Sequence, residues 1–245
     1  MEAEYAAAYP ELYARHWWWR VREDILVSNI STLLSKPVDE RRILDVGCGA
    51  GLFFDVLQQF GHVEGIESDP ESVRRSGRWR SRITKGELDE TFRPDKPFDL
   101  VLLLDVLEHV PHPDQLVRRA ADTLRPGGHV LVTVPAFRWL WTNHDDLNHH
   151  LRRYTAGQLR GLLTEAGLEN VSTSYVFQSL VVPKLAVTLI ERIRSRPPRV
   201  PHIPPPGLNS ALQAWYRAEY SLFGWLPFGG SILGTGQRRT AMGSD

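Results

Sequence analysis

Cysteine is nearly absent from this chain of 245 residues, and neither sign of charge is in excess. The single Cys48 excludes an internal disulfide framework. Lys and Arg number 29, as do Asp and Glu, so the basic surplus typical of nucleic-acid binding is missing. The N-terminus carries no basic stretch followed by an apolar run, so no signal peptide is predicted. We expect a cytoplasmic α/β protein with no nucleic-acid partner.

Glycines at alternate positions follow the first predicted strand. The apolar run Ile43–Val46 predicts the strand, and the periodicity of 52–60, which stops at Gly61, predicts a helix. A strand, a glycine loop and a helix N-terminus together form a nucleotide-binding geometry. Dinucleotide folds need G-x-G-x-x-G, whereas this chain has G-x-G-x-G, with Leu52 in place of the last glycine. This spacing disfavours a nicotinamide-dependent oxidoreductase.

The region from residue 40 to 135 carries D-x-G-x-G-x-G from Asp45, then F-D-L-V, L-E-H-V and L-R-P-G-G in order. This series of motifs resembles class I S-adenosylmethionine (SAM)-dependent methyltransferases. The resemblance implies SAM as cofactor and a Rossmann-like doubly wound α/β sheet of seven strands, mostly parallel, with the last strand antiparallel. Glu67 ends the second predicted strand, where a carboxylate can bind both ribose hydroxyls. The predicted cofactor-binding residues of this region are Asp45, Gly47, Gly49, Gly51, Glu67, Ser68, Leu88, Asp105 and Leu107.

One long helix is predicted before the glycine loop, from Glu11 to Leu34, with tryptophans at 17, 18 and 19. Three adjacent side chains point about 100° apart on a helix, so they cannot all face one core. Some of them could simply pack on the domain and the others cover surface. The stretch is also similar to a W-W-F-x-x-R segment of some of these methyltransferases. That similarity implies a lid helix within residues 1–38, with Arg22 reaching the methionine end of SAM.

Residues 137–154 are dense in His, Asp, Arg and aromatic side chains, and they follow the fifth predicted strand. Three interpretations stay open. The segment could hold a histidine general base oriented by Asp145, or a metal site, although the spacing of its His and Asp residues matches no known ligand pattern. It could also be a loop whose polar groups hydrogen-bond to the backbone and to one another. The pattern H-D followed by H-x-R-R-Y-T resembles a segment of uncharacterised or glycan-associated members of the family. It favours substrate contact by His144, Asp145, His150, Arg153 and Tyr154. We predict catalytic roles for Asp145, His150 and Tyr154, and we name no metal ligand.

A long insertion, residues 177–228, separates the predicted sixth strand from the seventh. Its apolar run, 177–190, is shorter than the about 20 residues that a bilayer span needs, and Pro183 interrupts it. Arginines at 192, 194, 196 and 199, a proline-rich stretch and an aromatic helical pattern from Leu212 follow. We predict that the insertion is a substrate-binding cap. It is also suited to peripheral contact with anionic lipid on the inner face of the membrane, and the two roles are compatible if the substrate is lipid-linked.

The predicted organisation has four parts: the lid (1–38), the SAM-binding core (39–176), the cap insertion (177–228), and the last strand with a disordered tail (229–245). We expect O-methylation of a small-molecule, glycan or lipid-linked acceptor. A SAM-binding regulatory or scaffold protein without activity and a protein methyltransferase are the alternatives. The sequence leaves the acceptor and the oligomeric state open.

Overall fold

The computed structural model describes residues 3–193 and 200–240. From residue 42 to residue 176, strands and helices alternate as in a doubly wound α/β fold, except that the third strand leads into the fourth without a helix. The helices are α1 (Ala3–Arg15), α2 (Trp17–Leu33), α3 (Phe54–Leu57), α4 (Pro70–Arg75), α5 (Pro113–Thr123), α6 (Asn143–Leu147), α7 (Ala156–Glu165), α8 (Val181–Ile193) and α9 (Pro206–Phe223). The strands are β1 (Arg42–Val46), β2 (His62–Glu67), β3 (Ile83–Lys85), β4 (Phe98–Leu104), β5 (Leu124–Pro135), β6 (Leu168–Val176) and β7 (Ser231–Arg238).

The seven strands form one sheet in the order β3-β2-β1-β4-β5-β7-β6. The pairs from β3 to β5 are all parallel, and β7 is antiparallel. The apolar run of β4 is buried over its first six residues, as a central parallel strand covered on both faces should be. The predicted Rossmann-like fold is therefore confirmed.

Strand β5 includes the L-R-P-G-G sequence, which is therefore not a free turn before the strand. The register of β5 shifts between its partners Phe98 and Leu100, so residues 125–128 bulge opposite Asp99. The guanidinium of Arg125 pairs with the buried carboxylate of Asp99. Burial acts to raise the pKa of Asp99, but hydrogen bonds, that of Arg125 first among them, outweigh it and lower the pKa.

The N-terminal helix predicted as one element is two helices that meet at His16. The imidazole Nδ1 accepts a hydrogen bond from the backbone N–H of Trp18 at 3.1 Å, so the ring satisfies a donor at the start of α2. Burial, with a smaller contribution from His202, lowers the pKa of His16 to about 4, which keeps this acceptor nitrogen unprotonated at neutral pH. A buried histidine that receives a helix-terminal N–H thus sets the break.

The three tryptophans pack against different aromatic and apolar residues. Trp17 stacks on Tyr216 of α9 at a centroid distance of 4.6 Å, and Trp18 stacks on Phe177 at 5.7 Å. Trp19 is buried in an apolar cluster with Tyr5, Leu12 and Leu147. The helix geometry that prevents a common core therefore spreads the indoles over three neighbours.

Two helices form the insertion. Pro183 lies in the first turn of α8, where it removes no helical hydrogen bond, so it does not interrupt the apolar run as predicted. Helix α9 begins at Pro206, before the predicted Leu212. Arginines 194, 196 and 199 lie outside the described residues. Among the residues that are described, none of the helices has both the length and the apolarity to cross a bilayer.

The chain packs into two compact units. The first comprises the described residues within 1–29, 135–156 and 174–232, and the second those within 30–134, 157–173 and 233–245. The second unit contains the glycine loop, whereas the segment from 137 to 154 belongs to the first. Strand β7 continues through Arg238, which leaves less of the predicted 229–245 segment for a tail, and residues 241–245 lie outside the described part.

Candidate functional site

The glycine loop after β1 has three residues with positive φ: 70° at Gly47, 56° at Gly49 and 74° at Gly51. Residues with a Cβ avoid this conformation, which explains the alternate glycines. The N–H of Gly47 donates to the carbonyl of Ile66 at 2.8 Å, so the end of β2 anchors the loop. A Cβ on Gly49 would meet no atom within 4 Å, which leaves open space beside the loop for a ligand.

Gly65 of β2 is a residue that the sequence motifs did not single out. A Cβ there would lie 2.5 Å from Sγ of Cys48 and 2.8 Å from Cζ of Phe54. The glycine therefore lets the strand pass directly beneath the loop. Burial, and then the carboxylates of Asp45 and Glu67, raise the pKa of the Cys48 thiol, which matches a small packing residue rather than a nucleophile.

Glu67 joins the glycine loop to the segment after β2. Its Oε2 accepts from the N–H of Gly49 at 2.7 Å, and its Oε1 accepts from the N–H of Asp69 at 2.7 Å. A carboxylate has about four acceptor positions, so each oxygen retains one for a ribose hydroxyl. The residues at this loop therefore fit the adenosine portion of SAM.

The other predicted cofactor ligands of the second unit differ in exposure. Asp45 and Leu88 are buried, Leu107 is fully buried, and Ser68 is exposed. Asp105 has a positive φ of 57°, and its carboxylate accepts from the Thr133 hydroxyl at 3.1 Å. Backbone strain of this kind costs about 1–3 kcal/mol and is concentrated at functional sites.

Asp145 of the first unit is the centre of a buried ion-pair network. Its Oδ1 accepts from Nδ1 of His150 at 2.8 Å and from Nε of Arg153 at 2.8 Å. Its Oδ2 accepts from the N–H of Thr142 at 2.9 Å and from a terminal nitrogen of Arg153 at 2.9 Å. Burial acts to raise the pKa of Asp145, but His150 and Arg153 outweigh it and hold the pKa well below its usual range. The carboxylate stays ionised and orients its neighbours.

The T-x-x-D spacing from Thr142 to Asp145 is the sequence signal for part of this network. It matches a capping box, in which the side chain at the third helical position returns to the N-cap N–H. The pairing with Arg153, eight residues later, has no local signal in the sequence.

His144, Tyr154 and Arg22 have different surroundings within the same unit. Burial, then Lys184, lowers the pKa of His144 to about 4, and its ring contacts Tyr5 edge-on at 5.6 Å. Tyr154 is buried; its backbone N–H donates to the carbonyl of Pro135, and its carbonyl accepts from the N–H of Phe137. The guanidinium of Arg22 lies 5.8 Å from the ring centroid of Trp18. The catalytic and cofactor roles assigned to these residues remain predictions.

Known proteins resemble the chain in sequence and in fold. A ubiquinone biosynthesis O-methyltransferase of Marinobacter nauticus is 34% identical over 139 residues, covering 50% of this chain and 58% of that protein. The chain thus matches little more than half the length of this relative. A SAM-dependent methyltransferase of Archaeoglobus fulgidus has a similar fold, with a TM-score of 0.55, 13% identity, and coverage of 88% of this chain and 94% of that one.

The fold also occurs with other chemistry. The [4+2]-cyclase SpnF superposes with a TM-score of 0.53 at 23% identity, covering 89% of this chain and 82% of its own. The family model described as a methyltransferase domain matches residues 18–173, which is more than half of the chain. This chain therefore belongs to the methyltransferase domain family, and its cofactor is SAM.

Proposed function

We propose that this protein transfers a methyl group from SAM to an oxygen of a small-molecule, glycan or lipid-linked acceptor. The observation that carries the proposal is the pairing of a glycine loop and an acidic residue, Gly49 with Glu67, in a methyltransferase domain. The similarity to ubiquinone biosynthesis O-methyltransferases supports oxygen as the acceptor atom.

SAM, when bound, supplies a methyl group that is already activated on a sulfonium sulfur. Glu67 would hold the ribose, while Asp45 and the loop amides would hold the methionine portion. Because the departing thioether is neutral, the protein needs to supply alignment and, for a hydroxyl acceptor, removal of a proton.

His150 is the base that the first unit supports best. Asp145 holds its Nδ1 at 2.8 Å, which selects the tautomer that can accept a proton at Nε2. The same carboxylate stabilises the imidazolium that forms once the proton has been taken. Asp145 itself is fully buried, so it acts as a positioning residue through His150.

Separate variants of the base and its neighbour test this assignment. His150→Ala should lower methyl transfer by about 10²–10⁴-fold, the usual contribution of a general base, and leave the affinity for S-adenosylhomocysteine unchanged. His149→Asn is the matched control, because His149 is exposed and Asn tolerates its positive φ of 57°. Equal turnover in His150→Ala and His149→Asn would refute the assignment.

SAM binding without methyl transfer is the second candidate. The similarity in fold to SpnF, a cyclase, supports it, because a shared fold does not determine the reaction. Purified protein that binds S-adenosylhomocysteine and methylates neither small molecules nor proteins of a cell extract would favour this alternative. Transfer to a protein in the extract would identify the chain as a protein methyltransferase.

Peripheral attachment to a membrane through residues 177–226 is a further part of the proposal. Helix α8 is amphipathic, but its polar face is the buried one. This face carries half-buried Lys184, buried Thr188 and half-buried Glu191. The carboxylate of Glu191 accepts from the N–H of Asn143 at 2.9 Å. Its outward face carries the exposed apolar residues Val182, Leu185, Leu189, Ile190 and Ile193. Apolar residues on a solvent-facing stripe, followed by four arginines in the sequence, suit the interface of an anionic bilayer.

Sedimentation with vesicles of phosphatidylcholine, with and without phosphatidylglycerol, measures this attachment. Ile193→Glu should weaken binding by more than tenfold, because burial of such a side chain contributes about 1.5–3 kcal/mol. Val38→Glu, at another exposed apolar residue outside the insertion, is the control. Equal binding of both variants and the wild type would contradict attachment through α8.

A further inference from the structure

Helix α9 carries an exposed apolar stripe along its length. The members of the stripe recur at intervals of three and four residues, as in a heptad repeat: Leu208, Ala211, Trp215, Ala218 and Leu222. Trp225, which follows the helix, continues the spacing. All six are exposed, whereas the buried residues of the helix are Tyr216 and Glu219. The part of the chain that the structure describes therefore leaves the α9 stripe uncovered.

The two indoles of the stripe are held in place by hydrogen bonds. The N–H of the Trp215 indole donates to the hydroxyl of Ser179 at 2.9 Å, and that of Trp225 donates to the carbonyl of Leu222 at 3.1 Å. Because both polar groups are satisfied within the chain, the surface that stays exposed on these rings is apolar. Side chains that are already ordered lose little entropy when a partner binds them.

Charge is nearly absent from the exposed side of α9. The helix is described over its whole length, and its charged residues are Arg217 and Glu219. Glu219 is buried and accepts from the N–H of Ser179 at 2.7 Å, while Arg217 pairs with Asp24 at 2.7 Å. A helix that lies on an anionic bilayer carries Lys and Arg beside its apolar face. The α9 stripe has no such flank, which favours another apolar helix as its partner.

Side-chain size alternates along the stripe, with large Trp215 and Leu222 separated by small Ala211 and Ala218. Two copies of the stripe that run antiparallel, with a twofold axis between residues 216 and 217, complement each other. Trp215 of one copy then meets Ala218 of the other, and Leu222 meets Ala211. A parallel pair would bring large side chains together and leave gaps between the small ones. The stripe therefore fits an antiparallel copy of itself.

We infer that this protein forms a homodimer through antiparallel α9 stripes. Trp215 is 53% exposed and Trp225 is 76% exposed, so these side chains, at about 250 Å² each, would alone bury about 300 Å² per copy. Leu208, which meets Trp225 of the other copy, and Leu222 add to this area. The total approaches the lower limit of specific interfaces, about 1,200 Å² for both copies. We therefore expect micromolar affinity, and the dimer does not depend on the proposed methyl transfer.

Sedimentation equilibrium of the full chain, from about 1 to 200 µM, tests the dimer. The wild type should change from monomer to dimer over this range. Ala218→Glu should weaken the dimer by about a hundredfold, because it sets a carboxylate against the Trp215 indole of the other copy. Ile193→Glu, which makes the same kind of change at an exposed apolar residue of α8, is the matched control and should associate like the wild type.

Oxidative cross-linking tests the direction of the pairing. Ala211→Cys and Leu222→Cys should each stay uncross-linked alone and should form a disulfide-linked dimer when mixed, because these positions face each other only in the antiparallel pair. The wild type, which carries Cys48 alone, is the control and should not cross-link.

Three results would overturn the inference. One is a protein that stays monomeric throughout the range, or an Ala218→Glu variant that dimerises like the wild type. Another is cross-linking of Ala211→Cys with itself, which requires a different arrangement of the helices. The third is a monomer whose binding to phosphatidylglycerol vesicles is lost in Ala218→Glu, because a bilayer would then cover the stripe.

Discussion

Replacing Arg153 by Met would leave the carboxylate of Asp145 buried without its guanidinium partner. The side chains are 1% and 0% exposed, so water cannot take over the two hydrogen bonds that are lost. Breaking a buried pair from one side costs about 3–5 kcal/mol. In a chain of this size, that corresponds to a fall of roughly 6–20 °C in the melting temperature. Urea unfolding at neutral pH, followed by tryptophan fluorescence, would measure the change in the free energy of unfolding.

The exposed ion pair of Arg217 with Asp24 provides the matched control. Its nitrogen–oxygen distance of 2.7 Å is similar, but the side chains are 49% and 43% exposed, so Arg217→Met should cost less than about 1 kcal/mol. Adding Asp145→Asn to Arg153→Met should recover part of the loss, because no buried charge then remains. A loss of stability in Arg153→Met no larger than in Arg217→Met would refute this account of the network.

The same pair makes stability depend on pH in one direction. The folded-state pKa of Asp145 lies below its unfolded value of about 3.9, so its contribution is fully present above that pH. The contribution is lost as the pH falls towards the folded-state pKa. Wild-type protein should therefore lose stability on acidification below about pH 4, and Arg153→Met should lose less over the same range.

Four further variants test other parts of the structure. Gly65→Ala should lower the free energy of unfolding by about 1–3 kcal/mol and weaken S-adenosylhomocysteine binding, because its Cβ would collide with Cys48. Gly161→Ala, with open space in α7, should raise the free energy of unfolding by about 0.5–1 kcal/mol in the same assay. The pKa of His144 is about 4 in the folded state and about 6.5 in the unfolded chain, so protonation between these pH values favours unfolding. His144→Gln should therefore lose less stability than the wild type as the pH falls from about 6.5 to 4. Tyr154→Phe should reduce methyl transfer if the phenol takes part in it, and its unfolding curve should show whether the fold is intact.

The strands around the glycine loop were predictable because each carries its own signal. Strand β1 begins one residue before the predicted Ile43 and ends at Val46, because a buried parallel strand is a continuous apolar run. Strand β2 ends at Glu67, as predicted. Helix α3 was predicted too long, over 52–60, because turns follow it from Gln58 to Phe60 without continuing the helix.

Features that depend on distant partners were not predictable. The break at His16 requires a buried imidazole, and the bulge at 125–128 requires Asp99 on another strand. The burial of the Asp145 carboxylate depends on its pairing with Arg153, which no local pattern links to it. The spacing of apolar residues in the sequence predicts which face of a helix is apolar. In α8 that apolar face is exposed and not buried.

Calorimetric titration with S-adenosylhomocysteine tests the central claim, a SAM-binding site at the glycine loop, most directly. We predict micromolar binding by the wild type and a loss of at least tenfold in Glu67→Ala, because that variant removes the carboxylate that joins Gly49 to Asp69 and would bind the ribose. NADH, the negative control, should not bind. Absence of wild-type binding, or equal affinity in Glu67→Ala, would contradict the claim.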